Sequence, residues 1–534
     1  MSVSILLMLL APAIAGLAYF VSRGIARRRF YRNLPKPPHS WFWGHAKLLN
    51  QFVSKCPPNS YLHPAFAEIK LTYDLPDVFY MDLWPFGPSF IVLSSPEATA
   101  FPTTVNSMAQ SDAVTAYLAD NLGDGFLEAA NGAVWKEVHQ MMAPGLTPGA
   151  VKTYHHMIID QAEILYNRFC SFARSNKVID FGNELGKHPF EIVYRIIFGE
   201  GKDAQTSETK LYDDVNRLAD VVSQLKGNAP EKNPIKRWQL HQQQTHLLKV
   251  IDAEMEEHIH SRFSKLQKEK VLPTRTTATC LLDRMLLAQV QSGVPPDRRL
   301  IKLILDNAKG LLAAGYATTV DTVSFATMLL FAFPETLQKL REEHDRVFDK
   351  DFDKTLQILR EDPSRIKDLE YTSAVINETL RLFPIGLLLR QPPPDMKSFE
   401  INGQTYPVMK GQHFLIGSYI MHYDPELFEN PSQFIPERHL PSSQATFPRN
   451  AHRPFERGLR SCIGQHLAMD QMRISLLMLA RWFDFEIQGH KPAAVPLLKH
   501  TDLDTKLGDY MFQTQKFAAG TRQIHMKVQF AKRE

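Results

Sequence analysis

The longest helical pattern in the chain, Arg298 to Phe333, constrains its folding more than any other feature. Leu300, Leu303, Ile304, Asn307, Leu311, Ala314 and Thr318 recur on one face at helical spacing, and Pro334 stops the run. A helix of about 35 residues is roughly three times the usual length, so it is expected to cross a whole domain with the other elements packed around it. Further helical patterns lie around residues 150 to 200, 240 to 265, 335 to 348 and 370 to 382. Short strand-like pieces fall near 67 to 83, 388 to 415 and 505 to 530. The expected flexible connectors are Lys226 to Pro234 and Gln267 to Thr279. From Trp41 onward there is no internal repeat, no low-complexity region and nothing resembling a domain linker. The expectation is one large domain over residues 41–534, mainly α with small β-sheets.

Apolar residues make up 44% of the 534 and charged residues 22%, enough to bury a substantial core. A formal net charge of +4 without a long basic run in the body does not suggest nucleic-acid binding. The four cysteines, Cys56, Cys170, Cys280 and Cys462, are far apart, and none forms a C-x-x-C pair. Neither a disulfide framework nor a structural zinc site is indicated, and the pattern suits a reducing compartment. Asn377-Glu378-Thr379 matches a glycosylation sequon but sits inside an apolar helical pattern.

Val3 to Val21 is interrupted only by Ser4, Pro12 and Gly16. At about 19 residues it is long enough to cross a bilayer as one helix. No basic residue precedes it, whereas Arg23, Arg27, Arg28, Arg29 and Arg32 follow. A cleaved signal peptide would carry its charge in front, although Ala13-Ile14-Ala15 imitates a cleavage site. The positive-inside rule places the large C-terminal part in the cytosol. Residues 1–22 are therefore expected to be a transmembrane anchor. Residues 23–40, with Leu34-Pro35-Lys36-Pro37-Pro38, should form a basic, proline-rich hinge holding the body at the membrane surface.

The segment Phe455-Glu456-Arg457-Gly458-Leu459-Arg460-Ser461-Cys462-Ile463-Gly464 carries the clearest chemistry. Gly458 and Gly464 admit backbone conformations and close approaches that side chains block. Cys462 stands just before a helical pattern, Gln465 to Phe483, so its sulfur can face amide donors that favour thiolate over thiol. A thiolate can bind a haem iron and push electron density onto it, and Arg460 can neutralise a haem propionate. The same residues also describe a buried, inert cysteine beside a turn. The segment alone leaves both open.

This segment resembles the haem-binding loop of the cytochrome P-450 family, Phe-x-x-Gly-x-Arg-x-Cys-x-Gly, at every fixed position. Other motifs agree in order and spacing. Glu378-Thr379-Leu380-Arg381 is similar to the family's Glu-x-x-Arg, a spacing that puts both residues on one helix face; alone it would read as a solvated surface pair. Phe434-Ile435-Pro436-Glu437-Arg438 resembles the Pro-Glu-Arg element, which implies a triad of Glu378, Arg381 and Arg438. Ala314-Gly315-Tyr316-Ala317-Thr318-Thr319 resembles the oxygen-activating stretch of the central helix. The resemblance implies a triangular helical prism around haem b with Cys462 as axial ligand, an N-terminal transmembrane helix, and Thr318 as the catalytic hydroxyl. It places Phe455, Arg460 and Gly464 at the cofactor.

Thr318 can turn its hydroxyl back to the carbonyl of Ala314. The family usually has an acid just before this threonine; here the position is Ala317, which puts the usual proton relay in doubt. Asp321, one turn on, is a stand-in, although a solvent-facing charge is the simpler expectation. The family commonly shows Trp-x-x-x-Arg where this chain has Trp135 and His139; both would meet a haem propionate, His139 with full charge only if its pKa were raised. Arg390 matches a third propionate position. The substrate chamber would be lined by residues 107 to 118, the central-helix face, Ile385 to Leu389 and the turn at Met511-Phe512.

The resemblance implies a membrane-bound monooxygenase of the endoplasmic reticulum, single-pass with its catalytic domain in the cytosol, inserting one atom of dioxygen into a lipophilic small molecule. The chain has no Gly-rich dinucleotide fingerprint, so electrons would come from a separate NADPH–cytochrome P-450 reductase, docked at Arg453, Arg457 and Arg460. Its motifs are similar to those of fungal secondary-metabolite oxidases. Two alternatives stand beside this. One is a same-fold isomerase or dehydratase that needs no dioxygen or reductase, suggested by Ala317; the other is a non-enzymatic haem binder.

Overall fold

A computed structural model describes residues 3–532 except 270–273, 275–277, 387, 517 and 518; the side chains of residues 3–11, 13 and 519 also lie outside the description. The central helix runs Arg298–Ala332, 35 residues. Asp297 caps it by accepting the Leu300 amide at 2.7 Å, and Phe333 breaks it before Pro334 opens the next helix, Pro334–Val347. The helix Phe181–Phe198 packs along it most extensively, and Glu370–Leu382 and Gln465–Leu479 also lie against it. Gly315 permits the approach of Phe181–Phe198, since a Cβ there would come within 2.9 Å of Val193, and Gly310 admits the loop residue Phe126, which a Cβ would meet at 2.0 Å. The main core is a large apolar cluster around this helix, as the sequence pattern predicted, and a second, smaller cluster joins Tyr31 to the sheet residues Val78, Tyr80, Ile91 and Phe414.

The sheets are small. One has four strands in the order Val78–Asp82, Ser89–Leu93, Gln412–Ile416, Leu388–Arg390, with only its middle pair parallel. Another holds Val178–Asp180, His525–Phe530 and Phe483–Ile487. Two hairpins, Ser398–Ile401 with Gln404–Pro407 and Thr514–Gln515 with Ala519–Gly520, complete the β structure.

Three sequence expectations differ. His63–Thr72 is a helix rather than the start of a strand; residues 63 to 69 are all buried, so no polar face marks its period. The helix after Cys462 stops at Leu479, and Phe483–Ile487 is a strand. Asp504–Leu507 and Gly508–Met511 are helical turns. The connector at Lys226 to Pro234 joins two helices, Lys210–Lys226 and Pro234–Gln267, while most of Gln267 to Thr279 lies outside the described residues.

The N-terminal helix spans Val3–Tyr31 and passes through the arginines without a stop. Arg27 and Arg28 are not free basic flanks: both pair with the buried Asp82, Arg27 at 3.0 Å, and Arg27 also reaches Ser89. The proline segment is likewise tied down, Pro35 accepting the Tyr80 amide at 2.9 Å. Among the described residues no single helix is long and apolar enough to cross a membrane. The expected anchor over residues 1–22 falls largely on residues whose side chains lie outside the description.

Candidate active site

The loop before Gln465–Leu479 is built by backbone geometry. Gly458 has φ +89, and a Cβ there would lie 2.3 Å from the Thr103 carbonyl oxygen, so only glycine fits. The Cys462 amide donates to the Phe455 carbonyl at 2.9 Å, closing the loop. Gly464 has an ordinary φ of −87; its missing side chain instead keeps the space beside the sulfur clear, since a Cβ would stand 3.9 Å from Cys462 Sγ. The Cys462 side chain is exposed to a cavity of about 1050 Å³. Burial pushes its thiol up to about 11, although the amides of Gly464 and Gln465 pull the other way. The helix terminus alone therefore does not make the thiolate expected from the sequence. A bound metal cation would.

The same cavity gathers Trp135, His139, Thr318, Phe455, Arg460 and Gly464. Trp135 and His139 stack one turn apart on the helix Gly132–Met142, centroids 4.8 Å apart. Burial lowers the His139 pKa, so this ring is a neutral donor. Arg460 donates through Nη2 to Ala130 O and Asn131 Oδ1 and lies 5.0 Å from the Trp135 ring. Its other terminal nitrogen, Nη1, is buried without a partner. Burial, with the charge of Arg390, lowers the Arg460 pKa to about 10, and Glu128 opposes this. Arg390 does not line the cavity; it is buried behind Gln110, to whose Oε1 it donates at 3.1 Å.

A haem fits this donor set. Cys462 Sγ would hold its iron, and the unpartnered Arg460 N–H, the Trp135 indole and the neutral His139 imidazole are donors in the same cavity that could bind its carboxylates. The volume exceeds what a drug-sized ligand alone needs, leaving room for cofactor and substrate.

In the same cavity Thr318 Oγ1 donates to the Ala314 carbonyl at 2.7 Å, as its spacing predicted. Asp321 departs from expectation: it is buried, lines the cavity, and accepts from the Thr521 amide and hydroxyl, each at 2.8 Å. The chamber wall includes Ala113, Val114, Tyr117 and Leu118, and Ile385 to Leu389 except Leu387, which is outside the described residues. Met511 and Phe512 are core residues; Thr514 to Lys516 line the cavity in their place.

The charged triad forms, and it is wholly internal. Arg381 makes a bidentate pair with Glu378, both bonds 2.8 Å, and Arg438 Nε reaches Glu378 Oε1 at 3.1 Å. His439 and the Ile435 amide, which sequence reasoning missed, fill the remaining lone pairs. These partners hold the Glu378 carboxyl well below the usual range against its burial. The basic docking face is not as expected. Arg453 is buried and bonded to Glu456, Thr99 and Thr103, and Arg460 turns into the cavity.

Glu128 was also missed. This buried carboxyl lines the cavity, accepts from Gln110, and feels the charges of Arg390 and Arg460. Burial raises its pKa.

The family described as Cytochrome P450 matches residues 35–502. The chain is 28% identical to cytochrome P450 monooxygenase acrF of Aspergillus aculeatus, over 81% of this chain and 89% of that protein. It is 26% identical to cytochrome P450 monooxygenase ptmJ of Penicillium ochrochloron, over 91% and 96%. A crystal structure of a cytochrome P450, CYP102L1, shares the fold with a TM-score of 0.71 and 20% identity, covering 93% of this chain and 99% of that one.

Proposed function

The chain belongs to the cytochrome P450 family of haem-thiolate monooxygenases, and on that premise we propose that it hydroxylates or otherwise oxygenates a lipophilic secondary-metabolite intermediate with Cys462 as the iron ligand. The observation that carries this is the meeting, in one cavity, of the Cys462 sulfur, the unpartnered Arg460 Nη1 and the Thr318 hydroxyl. Bound haem supplies the iron centre at which dioxygen is reduced.

The chain's own residues do the rest. Cys462 is oriented by the Gly464 and Gln465 amides, while Arg460, Trp135 and His139 bind the cofactor's carboxylates. Arg390 reaches them only through Gln110, a positioning role. Thr318 commits its proton to the Ala314 carbonyl, which leaves its oxygen free to accept from a water in the pocket. Val114, Leu118, Ile385 and Leu389 line an apolar wall that expels water and selects a lipophilic substrate.

The chain works at the endoplasmic reticulum membrane, fed with single electrons by an NADPH reductase. Support for the membrane comes from an exposed aromatic patch, Trp41, Phe42, Trp43 and Phe86, with Trp43 stacked on Phe86. Aromatic side chains of this kind favour the membrane–water interface. Residues 1–22 are its anchor and 23–40 the segment joining that anchor to the catalytic domain, 41–534.

The test is the reduced carbon-monoxide difference spectrum of the purified holoprotein. A thiolate-type Soret band is expected, absent in Cys462→Ala, and its absence from the wild type overturns the assignment. Consumption of NADPH only when reductase is added then separates oxygenation from rearrangement of an oxygenated substrate.

A further inference from the structure

Monooxygenation consumes two protons for every dioxygen reduced to one water and one inserted oxygen atom, so a buried site needs a proton donor. The alanine at 317 offers none. Of the other carboxyls lining the cavity, Glu128 is tied to Gln110 beside the arginines, Glu456 is paired with Arg453, and Asp180 caps the helix Phe181–Phe198 through the Asn183 amide and accepts from Gln523. Asp220 lies on its exposed side.

Asp321 is placed differently. It stands four residues past Ala317 and three past Thr318, about 6 and 4.5 Å further along the helix axis. Helical Cα–Cβ bonds lean toward the N-terminus, so that of Asp321 tilts back toward Ala317 and Thr318, and all three residues line the cavity. Its Oδ1 is held by the Thr521 amide and hydroxyl. Its Oδ2 lies beside Gly520, where a Cβ would come within 2.8 Å of it and 3.2 Å of Lys516 Cδ. There is no room for a side chain between the acid and the lysine.

We propose that Asp321 is the proton donor of this pocket, held by Thr521 and recharged through Lys516. The assignment rests on the monooxygenase reading above. Once for each of the two protons the Asp321 carboxylic acid gives its proton to pocket water, directly or by way of the Thr318 hydroxyl as that passes its own proton on, becomes a carboxylate, and regains a proton from the Lys516 ammonium through water. The lysine is reprotonated from solvent, and the reductase supplies the electrons. The groups facing Asp321 suit the task. Burial raises its pKa, the Lys516 charge and the Thr521 bonds moderate the rise, and the buried Tyr316 adds no competing charge. Lys516 also acts on Asp220, which continues the route toward solvent.

The test uses the holoenzyme with reductase, NADPH and dioxygen and no added substrate. Asp321→Asn is expected to slow NADPH consumption about tenfold or more and to raise the solvent isotope effect on that rate. Asp321→Glu should restore both. A merely structural role would not move the isotope effect. Independently of turnover, infrared spectra of the wild type should contain a buried carboxylic-acid carbonyl stretch that shifts in heavy water and disappears in Asp321→Asn. Asp321→Asn with the wild-type rate, isotope effect and infrared band overturns the proposal. If that variant does not accumulate with haem, Lys516→Met leaves the Thr521 clamp intact. It must slow turnover and raise the isotope effect, and unchanged values overturn the proposal equally. A wild type that consumes no NADPH with reductase instead refutes the monooxygenase reading and takes this assignment with it.

Discussion

At the scale of single residues the cysteine loop depends on one backbone conformation. Gly458→Ala would force a left-handed φ of +89 on a residue with a Cβ, costing about 1–3 kcal/mol from conformation alone. The clash with the Thr103 carbonyl comes on top of that. The haem-to-protein absorbance ratio of this variant should fall, whereas Gly464→Ala, with φ −87 and its Cβ 3.9 Å from the sulfur, should fold and be altered only at the cofactor. Similar contrasts decide what could be read from the sequence. The bond from Thr318 to the Ala314 carbonyl follows from a spacing of four on one helix and was legible in advance. The inward turn of Asp321 was not, because its partner Thr521 lies 200 residues away and no local pattern links them. Glu128 stayed hidden for the same reason, its neighbours Arg390 and Arg460 being remote in the chain.

At the scale of elements the Glu378 cluster joins the helix Glu370–Leu382 to the segment that leads into the cysteine loop. Arg381 donates to Glu378 and to the carbonyls of His422, Pro431 and Gln433. The Glu378–Arg381 pair thus fixes an irregular stretch, residues 422 to 439, against a helix at several points. Because Glu378 is fully buried, Glu378→Gln leaves two arginines without their counter-charge and should cost about 3–5 kcal/mol. Urea unfolding followed by tryptophan fluorescence measures this, and a loss under about 1 kcal/mol, the range of an exposed pair, would mean the cluster is solvated. The spacing of three between Glu378 and Arg381 was legible as a pair, but the sequence alone favoured the surface, since burial depends on what packs over the helix. The same limit explains His63–Thr72. Its residues 63 to 69 are all buried, so they show no polar face from which a helix is recognised.

At the scale of the whole molecule the fold encloses ionisable groups whose proton affinity differs from that in the unfolded chain. Burial lowers His45, His63, His188 and His422 from 6.5 to about 3, and His452 is also well below its ordinary value. A histidine with a lowered pKa binds fewer protons folded than unfolded. Its contribution is therefore fully present above the unfolded value and is lost as pH falls from 6.5 toward 3. Each such group steepens the loss by up to about 1.4 kcal/mol per pH unit. Glu128, Asp220 and Asp321 act in the opposite sense, because their raised pKa values let the folded state hold protons that the unfolded chain releases. His139 and His413 are lowered as well, and these histidines outnumber the three raised carboxyls, which leaves a net loss on acidification. Below the ordinary carboxylate range Glu378 and Asp82, both lowered, add to it. The urea midpoint should therefore hold near neutrality and fall progressively once the pH drops below about 6.5. His188→Gln, which removes one of these groups, should flatten that fall by up to one proton. A midpoint that does not move between neutrality and the carboxylate range would mean that the buried histidines take up protons without unfolding the core around them.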